Sequence, residues 1–262
     1  MKTLLICHDG AQLDQMVLAR WLNSFSNLVG IVVIQEPPSR IWRRLRREFK
    51  RIGVLRILDV LAFRLYYRIF LAREDRRWER EELRQKCLIY ADIHPDTAVL
   101  KTPSPNTQQA EAFIRELNPD IVLARCKVLL KESVFSIPAK GTFVMHPGIC
   151  PEYRNAHGCF WALANRDLNK VGMTLLRIDK GVDTGPAFGY YSYSFDEMHE
   201  SHLVIQHRVV LENLDALRAK FLDICNGTAT PLNTSGRPSA AWGQPWLTKY
   251  AKWKSRAKRG TG

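Results

Sequence analysis

The chain has 262 residues, of which 46% are hydrophobic and 25% are charged, proportions that are ordinary for a globular protein. It carries 39 Lys and Arg against 26 Asp and Glu, a formal net charge of +13. No uncharged apolar run reaches about eighteen residues, which excludes a transmembrane helix on sequence grounds, and we expect a cytoplasmic protein. The six cysteines include no Cys-x-x-Cys pair, so reduced thiols are expected instead of a disulfide scaffold.

Apolar runs and amphipathic spacing alternate along the first part of the chain, which is typical of an α/β protein. The order of elements predicts a doubly wound, Rossmann-like, mostly parallel sheet with helices on both faces. The predicted strands are Thr3–Cys7, Leu28–Gln35, Ala98–Lys101 and Asp120–Ala124, and the predicted helical segments lie near Leu13–Phe25 and Thr107–Leu117.

A basic helical insertion is expected at residues 39–86. Between Arg40 and Arg73, eleven Lys and Arg oppose two acids, so this stretch carries +9 of the chain's +13. Its apolar residues recur at three- and four-residue steps, and Gly53 divides the pattern into two helices. Three interpretations stay open: packing on the sheet with solvated arginines, peripheral contact of residues 40–73 with the inner face of a membrane, and nucleic-acid binding.

The remaining chain continues the alternation and then changes character. We expect one α/β domain over residues 1–225, followed by an irregular tail over 226–262 that contains three prolines and a basic end. The predicted strands are Gly141–Met145, Met173–Ile178 and Tyr190–Phe195, and the predicted helices are Ala156–Asn165 and His202–Cys225.

Two polar residues follow strands in this part of the chain. His146 ends an apolar run and precedes a Pro-Gly loop, so its imidazole is expected at the carboxyl end of a strand, where open α/β sheets bind ligands. Asp183 lies in an Asp-Thr-Gly-Pro turn after the next predicted strand. A neighbouring carboxylate orients a histidine and raises its basicity, so we predict a catalytic pair. The alternatives are a histidine with a purely structural role and a turn-forming aspartate.

Both motifs resemble the folate-dependent formyltransferases, the family that contains glycinamide ribonucleotide, methionyl-tRNA and amino-sugar N-formyltransferases. The resemblance covers about residues 1–36 and 90–195. It implies transfer of a formyl group from 10-formyltetrahydrofolate to a primary amine of a small molecule, such as an amino sugar or another biosynthetic intermediate. The matching segments are His146-Pro147-Gly148-Ile149-Cys150-Pro151-Glu152-Tyr153-Arg154, Gly172-Met173-Thr174 and Asp183-Thr184-Gly185-Pro186.

In that family an asparagine, a histidine and an aspartate form the catalytic trio. His146 and Asp183 match two of them, but the asparagine position holds Val144, which donates no hydrogen bond. Loss of one oxyanion donor costs about a hundred- to a thousandfold in rate. Asn155 and His157 are the neighbours that we expect to substitute for it or to contact substrate, and Arg154 is expected to hold a substrate phosphate or carboxylate.

The resemblance also implies where the donor binds. Its pterin ring is expected between two loops, although core packing is an equal alternative for the two leucines. The residues concerned are Val128, Leu129, Leu130, Asp179, Gly181 and Val182.

Retention of the histidine and the aspartate favours an enzyme over two alternatives. One is a catalytically silent binding protein, and the other is an enzyme that performs a different acyl transfer, a cyclisation or a hydrolysis with the same pair. A tRNA acceptor is not expected, because methionyl-tRNA formyltransferases carry a C-terminal domain for tRNA and few residues follow Cys225. No metal site is predicted: the spacing of His146, Cys150, His157 and Cys159 matches no metal motif.

Overall fold

The computed structural model describes residues 1–38 and 53–259. Within these residues the strands are β1 (Lys2–His8), β2 (Asn27–Ile34), β3 (Ala98–Thr102), β4 (Ile121–Arg125), β5 (Gly141–His146), β6 (Arg154–Asn155), β7 (Met173–Arg177), β8 (Ala187–Tyr191) and β9 (Ala241–Trp242). Seven of these strands form one sheet, whereas β6 and β9 pair separately.

The main sheet confirms the predicted doubly wound fold. Its strand order is β3-β2-β1-β4-β5-β7-β8; the strands from β3 to β5 are parallel, and β7 and β8 are antiparallel to their neighbours. The winding changes direction between β1 and β4, and the crevice at their carboxyl ends is where this fold binds ligands. Leu4, Leu5 and Ile6 are fully buried because helices cover both faces of the sheet.

Helices on each face of the sheet form separate apolar clusters. Within the described residues the helices are α1 (Ala19–Asn23), α2 (Val54–Tyr66), α3 (Ala72–Ile89), α4 (Gln108–Leu117), α5 (Glu132–Phe135), α6 (Gly158–Asn165), α7 (His202–Leu211), α8 (Leu214–Asn226) and α9 (Leu247–Arg259). The π-helical turn Leu13–Leu18, α1 and α8 pack on one face, and α4 and α5 pack on the other.

The insertion is helical wherever it is described. A π-helical segment, Tyr67–Leu71, joins α2 to α3, so residues 54–89 form one continuous helical stretch that begins directly after Gly53. The helix predicted before Gly53 lies outside the described residues. Among the residues that are described, no helix is both long and apolar enough to cross a membrane.

Two elements differ from the sequence-based expectation. The single helix expected over His202–Cys225 is divided, because the side chain of Asn213 donates hydrogen bonds to the carbonyls of Ser192 and Val209 and its backbone leaves the helical conformation. The strand expected at Tyr190–Phe195 is displaced, since β8 covers Ala187–Tyr191 and pairs with β7 over that range, so only its last two residues fall within the expected strand.

The tail expected to be irregular contains a strand and a helix. Residues of β9 pair with β6, and α9 places Tyr250 and Trp253 in a buried cluster with Phe63 and Phe160. These two aromatic side chains are only 4% and 1% exposed. They lie three residues apart and therefore share one face of the helix. The C-terminal segment thus completes a core that the rest of the chain leaves open.

Candidate active site

The imidazole of His146 is fixed at the carboxyl end of β5. Its side chain is 5% exposed, and Nε2 lies 2.8 Å from the backbone carbonyl of Tyr153. Because a carbonyl oxygen can only accept, Nε2 carries the proton in the neutral ring. The other nitrogen, Nδ1, therefore faces Oδ2 of Asp183 at 3.3 Å.

Asp183 reaches His146 from the loop after β7. Its backbone has a φ of 52°, in the left-handed region, and its Oδ2 also accepts the backbone N–H of Asn155 at 2.8 Å. The side chain keeps 15% of its surface exposed, so the pair lies at the edge of a region open to solvent. The structure thus brings together the histidine and the aspartate that the sequence places 37 positions apart.

A contact between two glycines shapes the loop that follows His146. A Cβ atom on Gly148 would lie 2.4 Å from the Tyr153 carbonyl oxygen and 3.0 Å from Nε2 of His146. A Cβ on Gly158 would lie 2.6 Å from the Cα of Gly148. Only glycine allows such close backbone approach, and this approach brings the Tyr153 carbonyl to the imidazole.

Thr174 of β7 holds the same loop from the other side. It pairs with His146 in the sheet and is fully buried. Its hydroxyl donates to the carbonyl of Gly148 at 2.7 Å and accepts the N–H of Cys150 at 3.0 Å. This role was not predicted, although a threonine within the buried apolar strand β7 is a signal that a polar partner is present.

Val144 lies on the same face of β5 as His146, since side chains alternate along a strand. It packs against Cys150, Leu176, Ala187 and the partly buried Tyr190. The hydroxyl of Tyr190 already donates to the carbonyl of Cys150 at 2.8 Å. The surroundings of Val144 are therefore mainly apolar.

The side chains predicted to assist the pair are engaged elsewhere. The amide of Asn155 donates to the carbonyl of Trp242, so it is the backbone N–H of Asn155 that reaches the site. Arg154 donates through Nε to Ser239 and through Nη1 to the carbonyl of Val182, both at 2.9 Å. Arg154 consequently braces the loop that carries Asp183.

His157 is directed into a separate cavity. The residues that line this cavity include neither His146 nor Asp183. His157 is the residue that precedes α6, with a φ of 56°, and burial lowers its pKa to about 4.

The two loops expected to hold a pterin lie side by side. Lys180 pairs with Glu132, at the start of α5, at 3.0 Å. Leu129 and Val182 expose 56% and 43% of their surfaces, whereas Leu130 is buried in the core. Leu130 therefore packs in the core, which was the alternative to ligand binding, whereas Leu129 presents apolar surface to solvent.

The loop between β7 and β8 has internal hydrogen bonds that fix its shape. Oδ1 of Asp179 accepts the N–H of Gly181 at 2.9 Å and the hydroxyl of Thr184 at 2.8 Å. Val128, in the opposite loop, is half-buried and accepts a hydrogen bond from Cys126.

The cysteines near the site are protonated thiols. Burial, together with the nearby Asp183, raises the pKa of Cys150 to about 12, and burial raises that of Cys159 to about 12. The thiol of Cys159 donates to the carbonyl of Gly172. Over residues 1–38 and 53–259, no three His, Cys, Asp or Glu side chains are grouped to hold a metal ion.

Glu152 forms a buried ion-pair network that was not predicted. Arg237 binds both of its carboxylate oxygens, at 3.0 and 2.7 Å, and Lys170 binds one at 2.7 Å. Burial alone raises the pKa of Glu152, but the hydrogen bonds from Arg237 and Lys170 outweigh it and hold the pKa below its usual value. Because Arg237 belongs to the C-terminal segment, no local pattern in the sequence links it to this loop.

Comparison with known families agrees with this geometry. Residues 75–212, more than half of the chain and including both members of the pair, match the family described as formyl transferase. The chain belongs to the formyl transferase family.

Among curated relatives, the chain is similar to methionyl-tRNA formyltransferases. It is 35% identical to the protein of Dehalococcoides mccartyi (strain CBDB1) over 92 residues, which are 35% of this chain and 29% of that protein. It is 30% identical to the Thermotoga neapolitana protein over 125 residues, 45% of this chain and 40% of that protein. The chain thus spans less than half the length of these relatives.

Solved structures share the fold at low sequence identity. A sugar N-formyltransferase from Shewanella sp FDAARGOS_354 matches with a TM-score of 0.56 and 13% identity, over 98% of this chain and 88% of that chain. An N-formyltransferase from Helicobacter canadensis, in complex with folinic acid and dTDP-3-aminofucose, matches with a TM-score of 0.51 and 15% identity, over 92% and 71%.

Proposed function

We propose that this protein transfers a formyl group from 10-formyltetrahydrofolate to the primary amine of a small molecule such as an amino sugar. The observation that carries the proposal is the fixed ring of His146, whose Nδ1 faces the Asp183 carboxylate within the segment that matches the family. The ligand classes follow those of the Helicobacter canadensis structure, which contains a folate and an amino-sugar nucleotide.

The two loops beside the pair suit a flat, mainly apolar ring with polar edges. Leu129 and Val182 offer exposed apolar surface, and the neighbouring backbone is held in place by the hydrogen bonds of Asp179. A few fixed polar groups within an apolar lining are typical of ligand sites. When bound, the reduced folate supplies a formyl carbon that is open to attack by an amine.

His146 handles the proton in this mechanism. As the amine nitrogen bonds to the formyl carbon, its proton passes to Nδ1, because Nε2 is held by the Tyr153 carbonyl. The Asp183 carboxylate, 3.3 Å away, stabilises the resulting imidazolium and is itself held by the Asn155 N–H. The same proton then goes to the folate nitrogen as its bond to the formyl carbon breaks.

The test follows tetrahydrofolate release from 10-formyltetrahydrofolate with an acceptor panel that contains dTDP-3-aminofucose, other amino-sugar nucleotides and methionyl-tRNA. We expect turnover with an amino-sugar nucleotide, and a loss of about a hundred- to ten-thousandfold in His146→Ala and in Asp183→Asn. His199→Ala is the matched control, since His199 is exposed. Turnover of His146→Ala at the normal rate would contradict the mechanism, and turnover with methionyl-tRNA alone would contradict the proposed acceptor.

The apolar surroundings of Val144 favour a second candidate, a binding protein without activity. In that case, the protein would bind folinic acid in a calorimeter, but no acceptor in the panel would release tetrahydrofolate.

A further inference from the structure

A cavity of about 180 Å³ lies between α2, α7, the start of α6 and the C-terminal segment. Engineered cavities of about 150 Å³ hold benzene, so this volume accommodates a six-membered ring. The residues that line it include Phe63, Arg64, Tyr67, His157, His202 and Pro245.

Two histidines that line the cavity each have a buried ring nitrogen without a hydrogen-bond partner among residues 1–38 and 53–259. These nitrogens are Nδ1 of His157 and Nδ1 of His202, on rings whose centroids are 5.8 Å apart. A buried polar atom left unpaired costs about 1–3 kcal/mol. Two such atoms beside one cavity make it a candidate site for a polar molecule.

The charge state of the two rings restricts what that molecule is. Burial lowers the pKa of His157 to about 4, with smaller lowering contributions from Lys127 and Arg64 and an opposing side-chain hydrogen bond with Gln244, and burial lowers the pKa of His202 well below its usual value. Each ring nitrogen of a neutral imidazole is a donor in one tautomer and an acceptor in the other. A hydroxyl group can meet either need, whereas a carboxylate only accepts and an ammonium only donates.

We infer that this cavity binds the hydroxyl-bearing ring of a sugar, with a phosphate of the same molecule towards Arg64 at the cavity's edge. Phe63, Tyr67 and Pro245 provide apolar walls for the C–H faces of such a ring. His157 is two positions from Asn155, whose N–H holds Asp183, so one residue of the cavity wall is joined through a short segment to the loop at the candidate site. The inference rests on the proposed function, because it identifies the sugar end of the acceptor.

The experiment uses the whole protein, with glucosamine 1-phosphate and galactosamine 1-phosphate as probes at pH 8.5. Ring ¹⁵N signals of His157 and His202 are recorded by NMR during titration, and affinities are measured by calorimetry. We expect at least one probe to shift both rings. We also expect His202→Phe, which keeps an aromatic ring but removes Nδ1, to weaken binding about tenfold. His199→Phe is the matched control on an exposed histidine.

Unchanged ring signals with both probes, or equal affinity in His202→Phe, would overturn the inference and leave water as the occupant. Its failure is distinguishable from that of the proposed function. Formyl transfer that proceeds without perturbation of the two rings contradicts only the cavity assignment, whereas probe binding without formyl transfer by any acceptor contradicts only the reaction.

A second inference rests on the outward face of α2 and the π-helical segment that follows it. Leu58, Leu61, Leu65 and Ile69 are 59%, 43%, 60% and 60% exposed. They recur at three- and four-residue steps and form one apolar stripe on the helical surface. The opposite face, which includes Phe63, is buried against α9 and α6. This stripe is therefore a second apolar face that packs against no described part of the chain.

Charge identifies the kind of partner that suits this stripe. Arg68 and Arg73 are exposed beside it. We propose that the apolar stripe inserts into the surface of a membrane rich in anionic lipids, with the arginines near the headgroups. Apolar burial and attraction to anionic lipids are the two terms that hold an interfacial helix.

Co-sedimentation with vesicles of phosphatidylcholine, with and without 30% phosphatidylglycerol, tests the proposal. We expect binding only to the anionic vesicles, release at high salt, and at least tenfold weaker binding of Leu61→Gln/Leu65→Gln. The matched control is Leu88→Gln/Ile89→Gln, since these residues are 77% and 65% exposed at the end of α3.

Three results would overturn this second proposal. They are absence of the wild-type protein from the anionic pellet, equal binding by the stripe variant, and dissociation of a dimer by the stripe variant, which would identify a second copy of the chain as the partner.

Discussion

Backbone groups hold both members of the pair of His146 and Asp183 in place. The Tyr153 carbonyl fixes the tautomer, the Asn155 N–H holds the carboxylate, and Thr174 holds the loop between them. The position and tautomer of the imidazole therefore depend on backbone groups and on Thr174. Two predictions at the scale of single residues follow from this arrangement.

Thr174→Val keeps the shape of the side chain and removes both of its hydrogen bonds. Because the carbonyl of Gly148 and the N–H of Cys150 are then left without this partner in a buried site, we expect a loss of about 2–3 kcal/mol in the free energy of unfolding. Urea-induced unfolding followed by circular dichroism measures it. A variant as stable as the wild type would show that the loop does not depend on this strand.

Val144→Asn introduces an amide donor on the same face of β5 as His146, at the position where the sequence resemblance predicts an asparagine. We expect formyl transfer to become at least tenfold faster, because one oxyanion donor contributes about a hundred- to a thousandfold. Steady-state kinetics measures the rate, and Val144→Ala is the control that distinguishes the effect of the added amide from the effect of removing the valine side chain. If the asparagine and alanine variants have equal rates, the oxyanion is stabilised by another group.

Among the elements outside the sheet, α9 contributes buried aromatic side chains to the core. Trp253 is almost fully buried, and its Nε1 donates to Glu197 at 2.7 Å. Trp253→Ala should cost about 3–5 kcal/mol, the usual effect of truncating a buried tryptophan. Urea titration measures the change, and Lys252→Ala on the exposed face of α9 serves as the control. Similar midpoints for the two variants would mean that α9 is not part of the core.

The sequence predicted most strands, because buried strands are continuous apolar runs, as in β1. It did not predict α9, although Pro245 near its start and the spacing of Tyr250 and Trp253 are valid helix signals. The three prolines of this segment favoured irregular structure more strongly than that short pattern favoured a helix. The division between α7 and α8 has no such signal, because it depends on contacts of Asn213 with distant carbonyls.

At the scale of the whole molecule, buried histidines make stability depend on pH. Burial lowers the pKa of His157 and of His207 to about 4, and it lowers that of His202 well below its usual value. Their unfolded pKa is about 6.5, so the unfolded state binds more protons between about pH 6.5 and 4. Each of these histidines therefore lowers the free energy of unfolding by about 1.4 kcal/mol per unit of falling pH in this window.

Urea titrations at pH 7.5, 6.0 and 5.0 test this dependence. We expect His202→Phe to reduce the slope of stability against pH by about one proton, and His199→Phe to leave it unchanged. Equal slopes in the wild type and the His202 variant would show that His202 is protonated in the folded state.

For the candidate site, the sequence was informative about the pair and less so about its supports. Asp183 and His146 stand in motifs that can be recognised one by one. The brace formed by Arg154, and the pairing of Arg237 with Glu152, join segments that are distant in the sequence and depend on how the C-terminal residues fold back. Such contacts produce no periodic pattern in the amino-acid sequence, so they could not be predicted from it.

The touching glycines have a consequence for engineering. Since Gly148 and Gly158 meet, and the Cys159 N–H bonds to the Pro147 carbonyl at 3.0 Å, the intervening residues form a closed lobe with a narrow neck. The glycine contact fixes the two ends of the lobe, but its interior is bound to other segments, since Glu152 pairs with Arg237 and Arg154 donates to Ser239. A chimera between relatives would therefore have to exchange the lobe together with the C-terminal residues that contact it.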